Sequence, residues 1–480
     1  MNPRVVGRVL GLLMVATGAA MTLPALTSSL YGESDWKIFV ICEAAALTVG
    51  GAMAWWLRGR QDLQVKDGFV IVSLAWFMAG AVGALPFWLS GALPSYTDAI
   101  FESVSGFTTT GASIGEDIPA LSHGMLMWRS LIQWLGGMGI VVLSIAILPI
   151  LGVGGMQLFK AEASGPTPDR LTPRIKETAK LLWGVYVLIS LLEILLLYFC
   201  GMPMFDAICH TFTTMATGGF STQVDSIGAY SPLIQWVVVL FMFIAGANFS
   251  LHFVAMSGRL KSYWRDQEFR VYLTVVLLAT LIVCASNVRM AQLQPLDNLR
   301  HSAFQVVSMV TSTGFGTADY EQWSSVSQFV LLLLMFIGGC AGSTSGGMKN
   351  VRLLLLAKHS VNEIRKLLHP RAVYVIRYNG IPVAQDIITN TLGFFLLLML
   401  ITVTATFILT ALGLDLVSAV GSVGATFNNV GPGLGSVGPT DNFANVPDPG
   451  KWVLILCMLL GRLELYTVLV LLIPDFWRRA

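Results

Sequence analysis

The stretch DAIFESVSGFTTTGAS, residues 98–113, decides the fold. A dozen moderately apolar residues run into a cluster of Thr and Gly. A membrane-crossing helix needs about 20 apolar residues to span roughly 30 Å of hydrocarbon, so this segment can enter a bilayer but not cross it. Its glycines then end the helix, because glycine is costly in a helix interior. The design recurs as DAICHTFTTMATGGFST (206–222), HSAFQVVSMVTSTGFGT (301–317) and SAVGSVGATFNNVGPGLG (418–435). Aligned on one glycine each, the four read Thr110-Gly111, Thr217-Gly218, Thr313-Gly314 and Val430-Gly431. A single such loop is an ordinary helix connection. Four in register, each flanked by two apolar spans, are a repeat.

Outward from these loops, apolar windows of spanning length occur near 8–30, 38–57, 68–91, 127–151, 178–200, 232–256, 269–286, 325–357, 389–412 and 450–473. These are continuous runs, not the alternating ten-residue strands of a β-barrel. The first window follows Arg4 and Arg8 and resembles a signal peptide, but it continues to about Leu30 and is read as a retained span. With a cytoplasmic N-terminus, 22 of the 29 Lys and Arg fall at the two termini or in inner loops near 58–66, 160–180, 259–270 and 352–377. Only Lys37, Arg129, Arg289, Arg300 and Lys451 fall outside, so both termini are expected in the cytoplasm. Composition agrees: 55% of residues are hydrophobic and 12% charged, against about 25% charged in soluble domains. A net charge of +2 suggests no nucleic-acid partner. The six cysteines show no metal-ligand or disulfide spacing.

The expected fold is therefore an all-α integral membrane protein. Two N-terminal helices (1–66) precede four pseudo-symmetric helix–pore loop–helix repeats around a central pore: 67–160, 161–258, 259–358 with a broken second helix, and 359–480. Irregular backbone at membrane depth is tolerated only inside protein or against water. Four such loops around one axis would offer rings of carbonyl oxygens able to replace the hydration shell of a cation. The half-helices would aim their partly negative C-terminal ends at that point.

The motifs TTTG, MATGG, TSTGFG and NNVGPGLG in this setting resemble the Trk/Ktr/HKT superfamily of potassium transporters. The stretches GGMGIVVLSIAILPILGVGGMQLFKAE (136–162), IGGCAGSTSGGMK (337–349) and GRLELYTVLVLL (461–472), with the two extra N-terminal helices, look like its bacterial TrkH/TrkG type over essentially the whole chain. The resemblance implies a channel-like potassium uptake protein of the bacterial inner membrane. It also implies a homodimer gated by a cytosolic nucleotide-binding subunit like TrkA. Carried over by motif, potassium would meet Thr109, Thr110 and Gly111, then Ala216, Thr217 and Gly218, then Ser312, Thr313 and Gly314, then Asn429, Val430 and Gly431. In plant relatives a Ser at the first of these glycines goes with sodium permeation, so Gly111 points to potassium.

The window 325–357 is too long for one span, about 50 Å as helix. Its middle holds Gly338, Gly339, Gly342, Ser343, Thr344, Ser345, Gly346 and Gly347, and five glycines in ten residues will not hold a helix. A broken helix with a flexible loop under the filter is expected, with close packing through small residues as the alternative. The resemblance favours a movable loop that obstructs the pore. Arg462 lies about midway along the last span, where a charge must face water or a partner. It is read as facing the pore under the filter and bonded to carbonyls of the 338–347 loop; the alternative is a structural ion pair. Glu464, two positions on, would point away from it on one helix. Lys349 is read either as a second plug or as the first cytoplasmic charge. Glu102, Glu116, Asp117, Asp225, Asp319, Glu321 and Asp441 could draw cations to the outer mouth, although singly each is read as a solvated loop charge. The basic segments 162–180 and 358–385 could dock the regulatory partner.

A secondary transporter coupling potassium to protons or sodium is the rival reading, since broken helices suit both. It would use a buried acid on the ion path, and the span interiors offer Glu43, Glu193 and Glu464. An enzyme is not expected: no HExxH, GxSxG or P-loop is present. Nucleotide control would then have to come from another chain.

Overall fold

The computed structural model describes residues 2–58, 65–115, 118–146, 171–288 and 294–478, with the side chains of 65, 140–146 and 171–176 left aside. Its secondary structure is almost wholly helical, with one two-stranded hairpin pairing Arg377–Tyr378 with Ile381–Pro382. Pro3–Ala20 continues after Met21 as Thr22–Leu30 and packs against Trp36–Trp56 as an N-terminal pair. Four repeats follow. Each contributes a long first helix: Val65–Gly83, Leu171–Phe199, Gln267–Asn287 and Gln385–Ala411. Each then contributes a half-helix: Tyr96–Phe107, Met204–Met215, Pro295–Val310 and Leu416–Phe427. At 1.5 Å per residue a 12-residue half-helix reaches only about 18 Å, well short of a bilayer.

The long helices bury one face and leave leucines outward, as lipid-facing helices do. Leu191, Leu192, Leu195 and Leu196 are exposed while Tyr186 and Glu193 on the same helix are fully buried. Six helices are long and apolar enough to cross a membrane, and two bent pairs raise the number to eight among the described residues. The protein is a multi-pass membrane protein. The end of the expected 127–151 span lies outside the described residues, and the helix there is His123–Ala146.

Two windows expected as continuous spans are sharply bent. Pro232–Ala245 and Phe249–Met256 meet at 100°. In that break the Gly246 carbonyl accepts from Cys340 N–H (2.9 Å), and Phe249 N–H donates to the Gly342 carbonyl (3.1 Å). A segment about 95 residues downstream thus takes up the groups that helix hydrogen bonds would have used, and Asn248 restarts the helix by capping Ser250 N–H (2.8 Å). Asp448–Leu463 and Leu465–Leu472 meet at 114°. The hinge is Glu464, whose φ of 60° is a strained value for a residue with a side chain. Arg462 therefore sits in the last turn of a 16-residue helix rather than midway along a straight one.

The half-helices are backed by glycines on the following helices. A Cβ on Gly136 would lie 1.9 Å from the Phe107 carbonyl oxygen, and one on Gly461 would lie 1.8 Å from that of Phe427. Only a bare backbone permits this approach. Gly461→Ala is expected to destabilise the protein by about 1–3 kcal/mol, the usual cost of overpacking. Its thermal unfolding midpoint in detergent should fall relative to Gly184→Ala, whose Cβ meets nothing within 4 Å. Equal midpoints would contradict the close packing.

Candidate functional site

All four half-helices end the same way. The capping residues are Thr108, Ala216, Thr311 and Asn428. Each is followed by a residue in the left-handed region: Thr109 (φ 53°), Thr217 (54°), Ser312 (54°) and Asn429 (54°). The next N–H turns back to the helix: Thr110 to Ser105 O, Gly218 to Thr213 O, Thr313 to Ser308 O and Val430 to Ala425 O, each at 2.8 Å. This is a Schellman-type ending, a position where glycine is usual and a β-branched Thr is an outlier. A left-handed glycine follows in every loop: Gly111, Gly219, Gly314 and Gly431.

These angles correct the second loop by one residue. Thr217, Gly218 and Gly219 match Thr109, Thr110 and Gly111, whereas the sequence alignment had placed Ala216, Thr217 and Gly218 there. Ala216 is the helix cap. Two adjacent glycines made the shift invisible in the sequence, and only backbone angles separate them.

The four loops close on one another in cyclic order. A Cβ on Gly111 would stand 2.0 Å from Gly218 O, one on Gly219 2.0 Å from Thr313 O, one on Gly314 1.9 Å from Val430 O, and one on Gly431 2.8 Å from Thr110 O. Each glycine packs on the carbonyl of the next loop, so the four carbonyls form one ring. Gln133 donates to Gly218 O (2.7 Å) and accepts from Phe220 N–H (3.1 Å). Among the described residues no donor is bonded to the carbonyls of Thr110, Thr313 or Val430. All three residues are fully buried. Buried carbonyls are nearly always satisfied. Three together, on a ring at the negative ends of four helices, form a site suited to a cation. The Thr109 hydroxyl and the Asn429 Oδ1 are also buried without partners, while Asn429 Nδ2 reaches Thr110 Oγ1 (2.9 Å) and Met458 O (3.1 Å).

Outside the ring the loops line a vestibule that includes all four left-handed glycines, Arg129 and Asp441. Glu102 is not a solvated mouth charge. It is buried, pairs with Arg129 (2.8 Å) and accepts from Ile114 N–H (2.8 Å). Arg129 also donates to Ser221 O (3.2 Å), tying the first loop to the second. Glu321 accepts from Gly435 N–H (2.6 Å). Partial burial, then the charges of Asp319 and Asp441, hold its carboxyl above the usual range. Glu116 and Asp117 lie outside the described residues.

Under the ring, Ser325–Phe336 stops and Asn350–Leu368 begins, with the glycine-rich segment between them. In this structure hydrogen bonds tie the segment to its surroundings. Thr344 Oγ1 donates to Met215 O (3.0 Å), Gly346 N–H to Ser312 Oγ (2.5 Å), and Gly339 N–H to Ser345 Oγ (2.8 Å). A Cβ on Gly346 would meet Asn428 O at 2.3 Å, so the segment lies directly against the ends of the second, third and fourth half-helices. Gly338 N–H bonds Met348 O (2.9 Å), which closes the neck of the segment beside Gly347, and the Gly342 carbonyl takes the Phe249 N–H. Ser343 Oγ donates to Cys340 O (2.6 Å), and Lys349 Nζ to Ser345 O. Arg462 Nη1 donates to Thr344 O (2.7 Å), while its Nε and Nη2 are buried without partners. Glu464 pairs instead with Arg352 (2.7 Å).

Sequence reasoning missed Gln133 and Glu268. Glu268 is buried, and its Oε1 accepts from both Ala341 N–H (2.7 Å) and Val351 N–H (3.0 Å), gripping both ends of the segment. One carboxylate near the start of an apolar helix gave no signal of this role, because its partners are backbone groups more than 70 residues away.

The chain matches the sequence profile of the TrkH family, described as cation transport protein, over residues 38–479. It is 46% identical to the Trk system potassium uptake protein TrkH of Salmonella typhimurium over 488 residues, covering 100% of both chains. It is 36% identical to TrkG of Escherichia coli K12, covering 99% of both. The crystal structure of the potassium transporter TrkH from Vibrio parahaemolyticus superposes with a TM-score of 0.92 at 40% identity, again covering 100% of both chains.

Glu268→Ala removes two hydrogen bonds to a charged acceptor, each worth about 1.5–3 kcal/mol. Thiol labelling of the buried Cys340, followed by peptide mass, should accelerate about tenfold or more, and Glu268→Gln, which keeps an acceptor, should change it less. Unchanged labelling in the Ala variant would mean that Glu268 does not hold the segment.

Proposed function

Because the chain belongs to the TrkH family of cation transport proteins, we propose that it takes up potassium across the bacterial inner membrane through a channel-like pore. The observation that carries this reading is the closed ring of four buried carbonyls, three of them without a donor among the described residues, at the convergence of four helix C-termini. Backbone oxygens held by left-handed turns can replace the water around a dehydrated cation. The ligating positions are Thr109–Gly111, Thr217–Gly219, Ser312–Gly314 and Asn429–Gly431.

The glycine-rich segment is the gate, and Arg462 is its electrostatic element. A buried guanidinium with two unpartnered donors repels a cation leaving the ring and is itself poorly satisfied, so the closed arrangement is poised. The carbonyl it holds, Thr344 O, belongs to the segment, so moving one moves the other. Both termini lie in the cytoplasm. Two copies pair, and a cytosolic nucleotide-binding subunit acts on Asn350–Leu368, the helix that leaves the segment.

One observation favours the coupled-carrier reading: Glu193 is fully buried in a span, whereas Glu43 is met by Thr22 Oγ1 (2.8 Å) and Glu464 by Arg352. Potassium flux driven by an imposed proton gradient and abolished in Glu193→Gln would establish it.

Cation flux in proteoliposomes, potassium against sodium, tests the main reading. Wild type should prefer potassium. In Gly111→Ser the new Cβ overlaps Gly218 O, the ring must open, and selectivity should relax; full selectivity would remove Gly111 from the filter. Arg462→Ala should raise basal flux in the absence of any partner. Unchanged flux from a variant with wild-type thermal stability would assign Arg462 a structural role.

A further inference from the structure

The span Gln267–Asn287 and the helix Asn350–Leu368 flank an open surface groove of about 420 Å³. Val271, Thr274, Val275 and Leu354 form its walls, and Arg270 and Lys358 stand at its rim. Among the described residues, neither cation has a carboxylate partner. Lys358 Nζ donates to Gln267 Oε1 and Arg377 O, both at 2.7 Å, and Arg270 Nε to Asp266 O at 3.4 Å. The nearby acids are committed elsewhere. Asp266 takes Phe269 N–H (2.7 Å) and Asn379 Nδ2 (2.8 Å), and Glu268 takes the ends of the gate segment. Partial burial, then the Arg270 charge, hold the Lys358 ammonium below its usual range. Two like charges therefore face one opening, with no anion of the described residues between them. Farther along the span, Leu278, Leu281 and Ile282 continue the same helical face and are exposed. A charged rim opening onto an outward apolar stripe matches one occupant, a lipid with an anionic head.

We propose that this groove binds an anionic phospholipid of the cytoplasmic leaflet, its phosphate between Arg270 and Lys358 and an acyl chain along Val271, Val275 and Leu278. Basic pockets between helices on the cytoplasmic side have this preference, since that leaflet is negatively charged and attracts Lys and Arg near its surface. The leaflet assignment rests on the orientation proposed above. Asn350–Leu368 begins where the gate segment ends, so the lipid would join a fixed span to the element that leaves the gate.

The test is native mass spectrometry of the full-length protein titrated with phosphatidylglycerol or phosphatidylcholine. Wild type should bind phosphatidylglycerol at least fivefold more tightly, and Arg270→Gln with Lys358→Gln should lose that preference. Phosphatidylglycerol should also raise the thermal unfolding midpoint of wild type but not of the double variant, and Lys358→Gln alone, expected to show a partial loss, serves if the double variant does not fold. A double variant that keeps the preference, or a wild type that binds both lipids equally, would overturn the proposal. So would conversion of a dimer to monomers with lipid preference unchanged, which would make the groove a contact between copies. Neither readout uses ion flux or orientation, so failure here is distinct from failure of the potassium pore reading.

Discussion

Backbone polar groups have no water to bond in hydrocarbon, and each one left alone costs several kcal/mol. Nearly every unusual feature of this protein follows from placing four non-helical loops at membrane depth under that constraint. The loops must be enclosed by protein, so each is set between two spans. They must also lie close enough to exclude lipid, so glycines occur wherever one backbone meets another. Among the described residues, three buried carbonyls that remain without protein donors lie together on the ring.

The same constraint explains the segment under the ring. Its own polar groups are satisfied by the break at Gly246–Asn248, by Glu268 and by the loop ends above it. Such a network does not loosen gradually. Shifting Thr344 away from Met215 and Arg462 also disturbs the Gly246 and Ser312 contacts, because one short stretch of backbone carries them all. Its contacts are therefore made or lost together rather than one by one.

The architecture was legible in the sequence because its signals are local. Span length and the Thr/Gly runs each reflect a constraint within about 20 residues. Illegible features depended on distant partners. The bend at Gly246 exists because Cys340 and Gly342 occupy it, and the window itself read as an unbroken span. The Glu464 hinge joins its carboxylate to Arg352, over 100 residues away. The second loop was misread by one residue because Gly218 and Gly219 are equivalent as letters and differ only in φ. Glu102, read as a mouth charge, is internal because Arg129 comes to it from another helix.

A ring assembled from four identical subunits would meet every substitution four times over, and its quarters could never diverge. Here the quarters carry Thr, Gly, Thr and Val at one level, and only the second has its carbonyl held by a glutamine. The ring is symmetric in outline but uneven in the chemistry around its circumference. Single-letter changes can therefore alter one side of the ring while three sides keep their geometry, a freedom that a ring of four identical subunits lacks.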